Sequence, residues 1–187
     1  EAKISASPIL ISTRENGQHP GHPIISKFNN VIVQVEIGDK KLLLDASDRY
    51  LTENLLDFQN LSYEGFKINT KDIIGEWVSV EATVPSRSNA YYHLKLGEDN
   101  NLIGTMNLSF SNYDALRQRN KYSSTINEAE FLKNFKTDKQ GLDIKSFKME
   151  NLDDPSEMLL QSLTVAIEDN VEEAGNLVML NPLLFHQ

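Results

Sequence analysis

The sequence predicts an α+β fold in which a partial β-hairpin region is followed by a mainly antiparallel β domain with two short helices. Short segments that alternate apolar and polar residues recur along the chain and are bounded by turn residues, which is typical of antiparallel strands. Two consecutive helical segments between residues 111 and 135 interrupt these strands. Strands on both sides of paired helices favour a sheet whose apolar face packs on the helices.

The first segment is expected to contain a strand at residues 8–12, a loop rich in glycine and proline, and a β-hairpin. Valines recur at every second position from residue 31 to residue 35, Gly38 and Asp39 supply a turn, and a second apolar run ends at Asp45. This pattern is typical of two antiparallel strands joined by a tight connection. Pairing of the two strands places positions 30 and 45 near each other.

From about residue 67 the pattern changes to short alternating segments separated by turn signals. Six strands are predicted, at residues 76–84, 91–96, 102–110, 142–149, 158–167 and 177–180. Residues 97–101 read Gly-Glu-Asp-Asn-Asn, which predicts a hairpin loop between the second and third of these strands. The change of pattern divides the chain into two predicted domains, residues 1–66 and residues 67–187.

Two helices are predicted within the second domain. Ser111 is a typical N-cap for a helix that runs towards Arg119, and a second helix is expected over residues 127–135. In the second helix, Phe131 and Phe135 lie four residues apart and share a face with Leu132. That face is expected to be buried against the sheet.

The hairpin resembles that of the transglutaminase-like superfamily of Cys-His-Asp enzymes, whose pattern is F-N-H-V-I-x-x-V, a turn, and L-D-A-T-D. The matching residues are Phe28, Asn29, Val31, Ile32, Val35, Leu44, Asp45, Ala46 and Asp48. Ser47 replaces the threonine, and Asn30 stands where the family has its histidine. Residues 8–17, 150–155 and 178–184 are also similar to segments of bacterial proteins of this kind, which carry a C-terminal β domain of unknown function.

The resemblance implies that residues 1–66 are the C-terminal portion of a transglutaminase-like core and residues 67–187 its β-rich accessory domain. In the family, a thiolate attacks an amide carbonyl and a carboxylate orients the base. This chain has no cysteine, and an asparagine at position 30 has no titratable nitrogen near neutral pH. The degenerate positions are therefore Asn30 and Asp45. The family's nucleophile lies upstream, so the chain is expected to be a fragment whose partner is that upstream part.

Other residues with possible chemical roles also have ordinary structural explanations. Asp45 and Asp48 fit a turn with a helix cap as well as they fit a site. His19 and His22 are three residues apart in a loop, but no further ligand cluster accompanies them, so no metal and no cofactor are expected. His93 and His186 are expected to be solvated or packed.

Aromatic and basic residues could line a ligand groove in the second domain. The basic cluster consists of Arg117, Arg119 and Lys121, and the neighbouring aromatic residues are Tyr91, Tyr92, Tyr113 and Tyr122. Core packing and a solvated helix face explain the same residues. Trp77 indicates packing if it is buried and a sugar or peptide platform if it is exposed.

Composition excludes some partners. The formal net charge is −9, and no stripe of lysine and arginine offsets the carboxylates, so nucleic acid is not an expected partner. No apolar run is long enough to cross a bilayer, so no transmembrane segment is expected. The resemblance to exported bacterial proteins implies a location in the periplasm or at the cell surface.

Three functions remain as hypotheses. The first is a non-catalytic remnant of a transglutaminase-like protein that binds or presents a peptide or glycan. The second is an assembly or adhesion module without a ligand pocket, built on the strands of the second domain. The third is a cysteine peptidase or amide hydrolase completed by an upstream region, for which His22 is the nearby candidate base.

Overall fold

The computed structural model describes residues 4–17, 21–69, 74–97, 100–175 and 177–185, and it confirms a β-rich α+β fold. The strands are β1 (Ser5–Ile11), β2 (Asn30–Ile37), β3 (Lys40–Leu44), β4 (Glu64–Asn69), β5 (Ile74–Ser79), β6 (Ser88–Leu96), β7 (Leu102–Phe110), β8 (Leu142–Glu150), β9 (Leu159–Ile167), β10 (Val171–Ala174) and β11 (Leu177–Leu180). The helices are α1 (Asn112–Ser123) and α2 (Glu128–Lys136). The chain forms two compact units, Glu1–Pro85 and Ser86–Gln187.

The first unit is built on a five-stranded antiparallel sheet with the order β3-β2-β1-β4-β5. The predicted hairpin is present, because β2 and β3 pair from Val33 opposite Leu44 to Ile37 opposite Lys40. Gly38 in the connection has a φ of 58°, a conformation that glycine adopts without a side-chain clash. Ile32 on β2 is 1 % exposed and contributes to the core of this unit.

The outer edge of β3 is occupied by a residue from the following segment. The backbone N–H of Asn54 donates to the carbonyl of Leu43 at 2.8 Å, and the N–H of Leu43 donates to Oδ1 of Asn54 at 3.0 Å. Asn54 has a φ of 61°, which asparagine tolerates better than most residues. This residue therefore supplies both partners that an adjacent strand would otherwise offer to Leu43.

The boundary between the units lies later than the sequence predicted. The expected boundary after residue 66 falls within β4, which pairs with β1 on one side and with β5 on the other. The ring of Phe66 contacts Trp77 with centroids 5.0 Å apart and Phe28 at 6.3 Å, so aromatic packing also joins these strands. The change in sequence pattern at residue 67 marks the middle of a sheet, and Pro85 ends the unit.

The second unit contains a four-stranded antiparallel sheet with the order β6-β7-β9-β8. Its predicted strands are present, and α1 contacts β7 and β9. The buried face of α2 is also confirmed, since Phe131 is 4 % exposed and Phe135 packs against the core. The buried core of the sheet consists of Leu102, Met106, Leu142, Leu163, Val165, Ile167 and Leu184. Within the predicted loop at 97–101, residues 98 and 99 lie outside the described residues.

The remaining two strands form a separate ribbon. β10 pairs with β11 in antiparallel register, from Val171 opposite Leu180 to Ala174 opposite Leu177. Val171 at the start of β10 and Leu184 after β11 both pack in the core, so the ribbon is anchored at its open end, opposite the turn. The sequence predicted β11 but not β10, whose two glutamates hide the strand pattern.

Candidate functional site

Asp45 lies directly after β3, and its side chain turns into the first unit, where it is 8 % exposed. Its Oδ1 accepts the backbone N–H of Ser47 at 3.0 Å, and its Oδ2 accepts the backbone N–H of Asp57 at 2.8 Å. Oδ2 also accepts Nδ2 of Asn60 at 2.8 Å. One carboxylate therefore fixes its own turn and also the segment from Asp57 to Asn60, which lies twelve to fifteen residues later in the chain.

Asn60 connects the two degenerate positions. It ends a short 3₁₀ helix, Phe58–Asn60, and is 1 % exposed. Its Oδ1 accepts Nδ2 of Asn30 at 2.7 Å, while its own Nδ2 donates to Asp45. Positions 30 and 45 are thus brought together as their pairing predicted, but through a third side chain that the sequence analysis did not single out. We refer to Asn30, Asn60 and Asp45 as the amide network.

The amide network holds a negative charge and has no group that exchanges protons near neutral pH. Burial raises the pKa of Asp45, but hydrogen bonds from Asn60, Asp57 and Ser47 together lower it below its ordinary value. Asn30 and Asn60 are amides, which do not titrate near neutral pH. The carboxylate is therefore ionised and used to position the backbone. This arrangement agrees with the interpretation of Asp45 as a turn residue. It adds a tertiary contact, because the same carboxylate also binds Asp57 and Asn60.

The lowered pKa of Asp45 predicts a pH dependence of stability. The ionised carboxylate stabilises the folded state at every pH above its unfolded pKa of about 3.9, and this contribution is lost as the pH falls through the lower folded pKa. We expect the first unit to lose stability on acidification below about pH 4. Replacement Asp45→Asn should flatten that dependence in urea titrations followed by the fluorescence of Trp77, the chain's one tryptophan. Equal slopes in the two proteins would contradict this assignment.

The candidate histidines do not supply a base to the amide network. His22 is exposed, and no hydrogen bond within the described ranges joins it to Asn30 or Asp45. His93 is exposed on β6. His19 and His186 lie outside the described residues. In the part of the chain that the structure describes, no group of three or more histidine, aspartate or glutamate side chains is placed to hold a metal.

The basic cluster of the second unit does not form one binding face. Arg117 is exposed and pairs with Asp114 at 2.9 Å on the same helix. Arg119 is 1 % exposed and points inward, because it shares a helix face with buried Ala115. Its guanidinium donates to backbone carbonyls of Leu152 at 3.2 Å, Asn151 at 2.9 Å, Asp154 at 2.7 Å and Glu157 at 2.8 Å. Arg119 thus holds the loop between β8 and β9. The exposed Arg117 agrees with the solvated helix face that the sequence favoured, whereas the burial of Arg119 was not expected and removes it from any ligand groove.

A different groove lies in the first unit, with a volume of about 730 Å³. It is lined by Ser12, Thr13, Arg14, Gly17, Leu61, Ser62, Tyr63, Glu64, Glu81 and Ala82. Tyr63 is 73 % exposed, so its ring is the accessible aromatic surface of the groove. Trp77 is only half-buried, but it packs on Phe28 and Phe66, which supports the packing interpretation of that residue.

Arg14 is held in place on the wall of this groove. Its backbone N–H donates to the carbonyl of Gln59 at 2.9 Å, and its Nε donates to the carbonyl of Leu61 at 2.6 Å. The guanidinium carbon lies 4.4 Å from the centre of the Phe58 ring, a cation–π distance. These contacts use Nε and one face of the guanidinium, so the Nη groups have no acceptor among the described residues.

The groove and the amide network share one chain segment. Asn60 belongs to the amide network, while its neighbours Gln59 and Leu61 hold Arg14 through their carbonyls. Asp45 fixes the start of the same segment at Asp57. Sequence reasoning missed the groove because Arg14 and Tyr63 lie far apart in the chain. The available signal was the group of polar residues Asp57, Gln59 and Asn60, which interrupts the apolar pattern after residue 56.

No model of a known protein family matches this sequence. Neither a curated protein nor a solved structure is similar enough to it to indicate a relationship. The transglutaminase-like relationship therefore stays a prediction that depends on the hairpin residues. A separate finding concerns membranes: among the described helices, neither has the length and apolar character needed to span a bilayer.

Proposed function

We propose that this chain is a non-catalytic protein whose first unit binds a peptide or a glycan in the groove beside Arg14 and Tyr63. The observation that carries the proposal is the amide network. Asp45, at the position of the family's orienting carboxylate, here holds the backbone segment that lines the groove. In this proposal the chain is a remnant of a transglutaminase-like protein in which the former catalytic hairpin has become a support. The periplasmic or cell-surface location and the upstream partner belong to the same proposal.

The groove offers the groups that bind a neutral polar chain. The exposed ring of Tyr63 provides a flat surface for a sugar ring or an apolar side chain. Arg14 offers Nη donors to carbonyl or hydroxyl oxygens, and its position is fixed before a ligand arrives. Glu64 and Glu81 line the same groove and accept hydrogen bonds from hydroxyl or amide groups. Groups of this kind, fixed in advance, favour affinity because little entropy is lost on binding.

The proposal predicts that Tyr63→Ala weakens binding about tenfold or more, since truncating a central aromatic contact costs at least about 1.4 kcal/mol. The whole chain would be applied to arrays of neutral oligosaccharides and of short peptides, and the tightest binder titrated against each variant. Tyr91→Ala is the matched control, because Tyr91 is 70 % exposed and lies on β6 in the other unit. Equal weakening by both replacements, or no binding on either array, would overturn the proposal.

A second candidate function, assembly or adhesion, is favoured by the β10–β11 ribbon. All four side chains of β11 are exposed and apolar. A contiguous apolar surface of this kind is typical of sites that bind another protein. The hydrolase hypothesis needs a base near Asp45, and the amide network supplies no support for one. Hydrolysis of an amide substrate by a longer chain that includes an upstream cysteine, and loss of that hydrolysis on thiol alkylation, would revive that hypothesis.

A further inference from the structure

The β10–β11 ribbon presents an apolar strand to solvent. The exposed fractions are 68 % for Leu177, 50 % for Val178, 50 % for Met179 and 53 % for Leu180, and Leu183 beyond the strand is 60 % exposed. An isolated two-stranded ribbon is at best marginally stable in water, and it usually needs a third strand or a packed face. The open end of the ribbon is anchored in the core through Val171 and Leu184, which fixes where this apolar strand begins and ends on the second unit.

β11 differs from every other edge strand in the described part of the chain because it carries no charge. Charged residues on edge strands prevent pairing with other chains. Each of the other edges has at least one of them: Lys40 and Lys41 on β3, Glu76 on β5, Lys95 on β6, Asp143, Lys145, Lys148 and Glu150 on β8, and Glu172 on β10. Within the described residues, β11 pairs with β10 on one side only. The unprotected edge is therefore also the most apolar one.

We propose that β11 pairs antiparallel with β11 of a second copy of this chain, which joins the two ribbons into a four-stranded sheet across a two-fold axis. The occupant is a second copy because the strand is uncharged and apolar along its whole length, so an identical strand meets it without any like-charge contact. The other edge of the ribbon does not offer this, because Glu172 would approach its own copy.

The ladder geometry restricts the register of this pairing. Residues of a strand alternate in the direction of their backbone groups, so the two-fold axis must lie between one residue and its own copy. An axis at Met179 places Met179 opposite its own copy and Val178 opposite Leu180 of the other copy, which pairs three residues of β11. An axis at Val178 also pairs three, but it directs the ladder towards the turn at Gly175, so the Met179 register is the one proposed. The surface that a four-residue strand buries against its copy is smaller than the roughly 1,200 Å² buried in stable interfaces. The association is therefore expected to be weak and concentration-dependent.

The test introduces a charge at Met179, the residue that faces its own copy in the proposed dimer. The mass of the whole chain, measured by sedimentation equilibrium over increasing concentration, is expected to rise from one copy to two. Met179→Lys and Met179→Glu should each remain monomeric, because like charges then lie directly opposite each other. A mixture of the two variants should regain the dimer mass, since lysine then faces glutamate. Ile126→Lys is the matched control, because Ile126 is 91 % exposed outside the ribbon and should leave dimerisation unchanged.

Each result decides the proposal. Dimerisation of the natural chain, loss in both Met179 variants and recovery in their mixture support the pairing. A natural chain that stays monomeric overturns it, as does a mixture that stays monomeric or an equal effect of Ile126→Lys. Unchanged thermal unfolding of the Met179 variants shows that they fold. The inference concerns the second unit and is independent of the groove, so either proposal can fail without the other.

Discussion

Replacement Arg119→Met is expected to lower the free energy of unfolding by at least about 3 kcal/mol, because four backbone carbonyls lose a charged donor and each hydrogen bond to a charged group contributes about 1.5–3 kcal/mol. Water entering the site offsets part of the sum. Arg119→Lys is expected to recover only a fraction of this loss, since one ammonium group cannot reach carbonyls of residues 151, 152, 154 and 157 with the geometry of a guanidinium. Urea unfolding followed by circular dichroism measures both changes.

Arg117→Met is the matched control for this prediction. Arg117 is on the same helix, but its side chain is 64 % exposed and makes a surface ion pair with Asp114. Pairs of this kind contribute about 0–1 kcal/mol, so we expect a change within that range. Similar losses for the two arginines would show that Arg119 acts as a surface charge. Faster hydrogen exchange of amides at the start of β9 in Arg119→Met alone would locate the effect in the loop.

Replacement Asp45→Ala is expected to destabilise the first unit by about 2–4 kcal/mol, more than the loss of an ordinary turn residue. It leaves the N–H of Asp57 and the buried amide of Asn60 without their acceptor, and each such group costs about 1–3 kcal/mol. Unfolding in urea, followed by Trp77 fluorescence, measures the change in the unit that contains both residues. Glu53→Ala is the control, because Glu53 is an exposed carboxylate in the same segment.

A double-mutant cycle with Asn60→Ala separates the tertiary contact from the local turn. Because the two side chains share a hydrogen bond, the losses from Asp45→Ala and Asn60→Ala should not add, with a coupling of about 0.5–3 kcal/mol. Additive losses would reduce Asp45 to a turn residue. They would also remove the support that the amide network gives to the groove.

Local patterns predicted the elements whose residues face one apolar side. The β2–β3 hairpin was predictable because alternation and the Gly38 turn agree, and α2 because Asn127 caps it while Phe131 faces the core. β4 was missed because Lys67 and Gly65 break its alternation. Gly65 is required there, since a Cβ at that position would lie 2.4 Å from the side chain of Ile9.

The candidate site depended on contacts that the sequence does not encode locally. Asn60 is separated from Asp45 by fifteen residues and from Asn30 by thirty, and a single asparagine in a polar turn gives no signal of burial. Arg119 carried a signal that was overlooked, because it follows Ala115 by one helical repeat and so belongs to the inward face. Charge indicated a solvated helix, whereas helical position indicated the core.

Asn54 closes one edge of the five-stranded sheet. By binding both backbone groups of Leu43, it ends the hydrogen-bond ladder at β3. An extended polypeptide could add beside Leu43 only by displacing Asn54. Lys40 and Lys41 place charge on the rest of the same strand, so β3 is protected against strand addition along its length.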